Sequence, residues 1–232
     1  GLVGSEMCIR DSVTTTWRWH RSHFRSGRYA EFHRPQGAGD LFARRSVYAA
    51  TQLNHAMHTP VMRIDIWSDV VCPWCWIGKR RFEQAVATLG ERLPALEIHY
   101  HAFQLDPDSG LQPVPLREAL LPKFGSAERT EQLLAQTQQT ARAEGLPFDF
   151  SRGQVQVTTL PAHRLIWLAA REGDVEPVIE ALFHAHFAEG KNLAAADTLI
   201  AAGAAGGLAP ARVQALLASD EGSAQVQAQL LQ

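Results

Sequence analysis

The feature that most constrains this chain is Cys72-Pro73-Trp74-Cys75, set between an alternating apolar stretch and a helical one. Upstream, Arg63-Ile64-Asp65-Ile66-Trp67 alternates polar and apolar residues and closes on Ser68-Asp69, the pattern of a short strand. Downstream, Pro73–Leu89 predicts a helix. Ile77, Phe82, Val86 and Leu89 repeat at helical spacing, Lys79, Arg80 and Arg81 lie off that stripe, and Gly90 and Pro94 stop it. Leu96–Phe103 alternates again and predicts a second strand. Strand, helix and strand with short links predict a βαβ unit with parallel strands and a right-handed crossover.

The chemistry of the pair follows from where it sits. A cysteine exchanges with disulfides as its thiolate, and an ordinary thiol is little ionised at neutral pH. The start of a helix offers unpaired N–H groups and the positive end of the dipole. Pro73 suits the first turn, where its missing N–H costs nothing. Cys75 lies three residues on, so its sulfur can fold back onto Cys72. This spacing predicts a short disulfide ring with Cys72 exposed and nucleophilic and Cys75 shielded and resolving. Pro73 and Trp74, enclosed by the pair, tune it. The competing reading is half of a zinc site, which would need two further ligands. No second C-x-x-C exists; His99 with His101 and His184 with His186 are the available candidates. Histidines of this kind are more commonly structural, and strand–C-x-x-C–helix order favours redox chemistry over metal. Neither a metal nor a prosthetic cofactor is expected.

The rest of the chain is read against that site. With 232 residues, 46% of them apolar, it can be one large domain or one domain with an insertion. Lys+Arg totals 22 and Asp+Glu 24, so the basic surface that nucleic acid or an anionic membrane requires is not expected. No window approaches about 18 uninterrupted apolar residues, so no transmembrane helix is expected. Three cysteines are too few for a disulfide framework, and the third, Cys8, stands far from the pair. After the turn cluster Asp106–Gly110 the text becomes helical. Helices are predicted over Leu116–Lys123, Ala127–Glu144, Pro161–Glu172, Val175–Glu189, Ala194–Ala205, Pro210–Ser219 and Glu221–Gln232, with Ser151–Leu160 irregular. Residues 1–61 lack sustained periodicity and are rich in Arg, His and Ser. A transit peptide and a disordered tail both fit that bias. The favoured reading is a non-native extension, since Gly1–Ser12 resembles translated adapter sequence, with Met62 as the natural start. Between Met62 and Cys72 there is no room for a secretory signal, so a cytoplasmic protein is expected.

From Met62 to Gln232 the chain resembles the DsbA family, specifically its FrnE-like cytoplasmic members. The matching text is Ser68-Asp69-Val70-Val71-Cys72-Pro73-Trp74-Cys75-Trp76-Ile77-Gly78, then Phe103-Gln104-Leu105-Asp106-Pro107, Ala162-His163-Arg164-Leu165, Ala181–Gly190 and Ser219-Asp220-Glu221. The resemblance implies an α/β, thioredoxin-like fold with a large helical insertion. The first part would be the βαβ segment 62–105 and the second the insertion 106–232. It implies thiol–disulfide oxidoreduction on protein or small-molecule substrates, with Cys72 and Cys75 as the motif cysteines and glutathione as a possible co-substrate. His163 and Arg164 match structural positions at a helix start. The resemblance extends to 2-hydroxychromene-2-carboxylate isomerases and kappa-class glutathione transferases, which use serine with glutathione where this chain has Cys72. It further implies that the last two strands and the last helix of the core, with a cis-proline loop facing the cysteines, are missing. The first strand would then be an unpaired edge, and Ile64, Ile66, Ile98 and Tyr100 would lose cover.

Overall fold

The computed structural model describes residues 61–232. The readings made for Cys8 and the first sixty residues lie outside the described residues. The described chain opens with β1 (Val61–Ser68), α1 (Pro73–Leu89), a 3-10 turn (Gly90–Arg92) and β2 (Ala95–Ala102). β1 and β2 are hydrogen-bonded neighbours. The N–H of Phe103, just past β2, donates to the carbonyl of Ser68, the last residue of β1, at 3.2 Å. Nearer the strand centres Asp65 meets His101 at 2.7 Å. Both pairings advance in the same direction along the two strands, so the strands are parallel, as the βαβ pattern predicts.

Seven helices follow: α2 (Leu116–Phe124), α3 (Ala127–Ala143), α4 (Leu160–Glu172), α5 (Val175–Phe187), α6 (Ala196–Ala205), α7 (Pro210–Leu217) and α8 (Ser223–Leu230). Their limits match the periodicity to within about two residues. Several starts have a local cause. Ser126 accepts from the N–H of Arg129, and Asp174 from the N–H of Glu176. Pro161 and Pro210 sit in the first turns of α4 and α7. One small ribbon was not legible: β3 (Val114–Pro115) pairs antiparallel with β4 (Val155–Gln156), inside a stretch read as irregular.

Two apolar cores organise the described chain. One gathers Leu165, Leu168, Val178, Leu182, Leu199 and Val213 from α4 to α7, with Val70 from the loop after β1. The other joins Trp76 and Ile77 of α1 to Leu134 and Ala141 of α3, to Phe148 and Phe150, and to Phe183 and Phe187 of α5. Trp76 is 1% exposed and its ring stacks on Phe148 and Phe183 at 5.2 and 5.7 Å between centroids. An indole buried in this way contributes on the order of 3–5 kcal/mol relative to a small side chain.

The sheet end of the molecule is thinner. Among the strand residues of β1 and β2 only Ala102 is fully buried; Ile64, Ile66, Ile98 and Tyr100 are half-buried. The stripe read along α1 is buried at Ile77, half-buried at Phe82 and Val86, and exposed at Leu89. Two strands offer too little surface to cover a helix of five turns. Phe82, Val86, Ile98 and Tyr100 instead line a cleft of about 610 Å³ with Lys79, Glu83, Glu176 and Glu180 at its polar side.

Candidate active site

The loop that leaves β1 sets the site. The N–H of Cys72 donates to the carbonyl of Asp69 at 3.0 Å, closing a turn that carries the chain into α1. Cys72 is the N-cap residue, with extended backbone angles (φ −88°, ψ 112°), and its carbonyl accepts from the N–H of Cys75 at 3.1 Å. Pro73 lies in the first turn, where it breaks no helical hydrogen bond. Both cysteines are free thiols. Trp74 is 47% exposed and stands at the surface beside them. Trp76 and Ile77 point the other way into the aromatic core, while Val70 enters the second core. The thiol pair therefore sits at the seam between the two cores.

One expectation is reversed. Cys72 was to be the open sulfur and Cys75 the shielded one. In the structure Cys72 is 2% exposed and Cys75 is only half-buried. The cause is the Asp69–Cys72 turn, which folds Cys72 inward with its buried neighbours Asp69 and Val70. Which sulfur is covered depends on how that turn folds, and the C-x-x-C spacing is silent on it.

The two thiols titrate as one unit. The Cys75 thiol is lowered to about 7, chiefly by the hydrogen bond from the Cys72 thiol and with help from the Ser68 hydroxyl, while burial opposes. The Cys72 thiol is pushed well up, first by holding its proton against the Cys75 sulfur and then by burial. The arrangement supports one negative charge shared by the pair near neutral pH, and a second only at much higher pH.

In the sequence Asp69 stands out only as part of the Ser68–Gly78 motif, yet in the fold it is a buried neighbour of the pair. Its side chain is 1% exposed. Oδ2 accepts from the N–H of Leu105 at 2.8 Å, and Oδ1 lies 3.4 Å from His163 Nε2. His163 spends that nitrogen on the carbonyl of Phe103 at 2.9 Å, so it acts there as the donor. Asp69 and His163 thus tie the loop Phe103–Leu105 beside the cysteines. The signal was a lone carboxylate in front of the apolar pair Val70-Val71. Arg164, next to His163, donates to the carbonyls of Glu221, Leu216 and Ser219 at 2.6–2.7 Å and so closes the C-terminal end of α7. That places the Ser219-Asp220-Glu221 text against α4.

The histidines weighed as metal ligands are dispersed. His101 meets Asp65 and stacks on Trp67, and His99 meets Glu97. His184 meets Glu189, and His186 is wholly buried on the same helix, against Phe187. No group of three or more metal-ligating side chains forms among the described residues.

A parallel β–α–β start with a C-x-x-C at the first helix cap, continued by a helical layer, defines a thioredoxin-like redox domain. A family profile described as DSBA-like thioredoxin domain matches residues 63–232. A probable DsbA oxidoreductase from Streptomyces coelicolor is 32% identical, with a TM-score of 0.68 over 73% of this chain and 74% of that one. The chain belongs to the DsbA-like thioredoxin-domain family and is an oxidoreductase of that class. A putative protein disulfide isomerase from Nitrosomonas europaea (18% identical, TM-score 0.53, 75% of this chain and 78% of that one) shares the fold. So does a 2-hydroxychromene-2-carboxylate isomerase (17%, TM-score 0.53, 72% and 77%). Among functionally curated proteins none is similar enough in sequence to match.

Proposed function

We propose that the chain moves two electrons between the Cys72–Cys75 pair and thiol or disulfide substrates, either proteins or small molecules. The observation that carries this reading is the pair of free thiols at the N-terminal cap of α1, joined by the bond from Cys75 N–H to the Cys72 carbonyl at 3.1 Å, with the Cys75 thiol lowered to about 7 chiefly by the hydrogen bond from Cys72. Cys72 passes its proton to the Cys75 sulfur and attacks one sulfur of a substrate disulfide; that S–S bond breaks, and the departing thiolate takes up a proton from solvent. Cys75 then loses its proton and attacks the Cys72 sulfur. The mixed disulfide breaks, the second substrate thiolate is protonated, and Cys72–Cys75 is left oxidised. Two equivalents of a low-molecular-weight thiol of the glutathione type restore the dithiol. In a reducing cytoplasm the pair rests in the reduced form. Its position at the cap of α1 supports Cys72 as the attacking sulfur.

A second reading is favoured by exposure: Cys75, the more open and more acidic sulfur, attacks first and Cys72 resolves. Single-serine variants incubated with a disulfide substrate decide between them. Cys75→Ser accumulates a mixed disulfide on Cys72 under the first reading, and Cys72→Ser accumulates one on Cys75 under the second. Either way, insulin-type disulfide reduction is lost in both variants. Activity that survives both, or glutathione-dependent turnover of an aromatic substrate after thiol blocking, would overturn the redox reading in favour of an isomerase.

A further inference from the structure

The cleft of about 610 Å³ beside α1 takes no part in the exchange reaction. Its α1 wall runs from Lys79, one turn past Cys75, to Ala87, about 12 Å farther along the helix axis. The two ends of the cleft differ in chemistry. The end nearer the cysteines is charged. Lys79 Nζ bonds Glu83 and lies 3.0 Å from Glu176 Oε2 and 3.5 Å from Glu180 Oε2. Arg80 reaches Glu180 Oε1 at 2.9 Å and lies 3.7 Å from Glu83 Oε2. Three carboxylates therefore meet two cations. The Lys79 side chain is 8% exposed and the three carboxylates are 37–42% exposed, so the inner charge is positive and negative charge faces the opening. The Tyr100 hydroxyl, bonded to Glu176 Oε1 at 2.7 Å, reports the same field. Burial, that bond and the charges of Glu176, Glu83 and Glu180 hold it well above its ordinary range. The far end is apolar. Phe82 and Val86 of α1 meet Ile98 there, two residues before Tyr100 on the same face of β2 and farther from the strand end that leads to the cysteines.

We propose that this cleft is a docking site for polypeptide substrates of the thiol pair, and that it takes a segment with a basic residue toward the reacting disulfide and an apolar residue beyond it. This rests on the redox reading of the pair. Charge complementarity sets the sign of the ligand: an added cation meets the outward carboxylates of Glu83 and Glu176, and an added anion is repelled. The apolar residue covers Phe82, Val86 and Ile98, which the two strands leave half in water. Length favours a polypeptide, since about 12 Å holds roughly four extended residues. Position favours it too. The cleft lies along the helix whose cap carries the cysteines, so one segment can occupy it while a cysteine of the same chain reaches the pair. Docking raises the local concentration of the substrate disulfide and takes no part in bond making.

Two cysteine-free peptides, acetyl-Ser-Lys-Leu-Phe-Gly-amide and its Glu-for-Lys counterpart, test this when titrated into the 15N-labelled full chain. The Lys peptide should shift the amides of Glu83–Ala87 and Ile98–Tyr100 and bind about three- to fivefold more tightly than the Glu peptide. In Glu83→Gln that preference should fall. Equal affinities, shifts confined to other elements, or a preference undiminished in a folded Glu83→Gln protein would overturn the proposal. Should the variant not fold, the wild-type titrations decide. Phenethylamine that binds as tightly as the Lys peptide would assign the cleft to small organic cations, and sedimentation showing two copies of the chain joined through Val86 and Ile98 would assign it to self-association. Either result overturns the polypeptide reading. None of these titrations needs exchange chemistry. Failure of a Cys72–Cys75 disulfide to form in oxidised glutathione would therefore refute the redox reading while the cleft's charge preference stood. With both readings correct, a disulfide-linked Lys peptide should be reduced with a lower KM than the Glu version.

Discussion

Trp76 donates its indole Nε1–H to Glu180 Oε1 at 3.1 Å, across 104 residues of sequence. One turn from the cap that holds the cysteines, this bond fixes α1 to α5. Arg80 reaches the same carboxylate at 2.9 Å, and Lys79, nearly buried, is ringed by Glu83, Glu176 and Glu180. The geometry of the thiol pair therefore depends on packing in the helical part as well as on the βαβ unit. Trp76→Ala should cost about 3–5 kcal/mol in chemical denaturation, and Trp76→Phe about 1–2, since it keeps the stacking but leaves Glu180 without its donor. Equal costs for the two variants would show that the hydrogen bond, not the ring packing, carries the effect.

The shared proton predicts a distinctive alkylation profile. Reaction with iodoacetamide should rise with pH through a single midpoint near 7 and fall away below it. The midpoint belongs to the pair, so Cys72→Ala should move the titration of Cys75 upward by removing the donor that stabilises its thiolate. An unchanged midpoint in that variant would exclude the sulfur–sulfur hydrogen bond.

His186 predicts a loss of stability in acid. Its folded value is lowered to about 4 from 6.5 because the ring is entirely buried. Between those two values the unfolded chain binds a proton that the folded chain refuses, so stability rises with pH across that window. The contribution is fully present above about 6.5 and is lost as pH falls toward 4, amounting to roughly 3 kcal/mol. Urea titrations at pH 7 and pH 4.5 should show the loss, and His186→Phe should flatten it. The same slope in the variant would mean that another group is responsible.

Arg164 is predicted to be the structural residue of its motif. Its guanidinium bonds the carbonyls of Leu216, Ser219 and Glu221 at once. Arg164→Met leaves those acceptors unpaired and should cost about 3 kcal/mol, and Arg164→Lys should restore little because one ammonium cannot reproduce the planar fork. Hydrogen exchange should quicken first in Pro210–Leu217. Full rescue by lysine would show that only the charge matters.

The βαβ order and the helices α2 to α8 could be read from sequence because each repeats its apolar residues at a fixed period over several turns. The β3–β4 ribbon could not: two residues per strand carry no period, and its pairing joins Val114 to Gln156. Of the candidate site, the sequence made legible the placement of Cys72, Pro73, Trp74 and Cys75 at the cap and first turn of α1. Its inversion of burial was not, because it depends on the Asp69–Cys72 turn. Nor were the roles of Asp69 and Trp76, whose partners Leu105, His163 and Glu180 lie in other elements. Ile64, Ile66, Ile98 and Tyr100 are only half-buried on the two-stranded β1–β2 sheet. Amide exchange in β1 should accordingly outpace that in α4 and α5.

The central claim is that Cys72 and Cys75 form one redox unit. Equilibrating the purified chain in glutathione buffers of graded ratio, then quenching with acid and reading the intact mass, tests it directly. The account predicts a single two-electron transition between dithiol and intramolecular disulfide, with only transient glutathione adducts, and its absence in both Cys72→Ser and Cys75→Ser. Thiols that stay reduced across the whole range, or stoichiometric zinc bound to the pair, would contradict it.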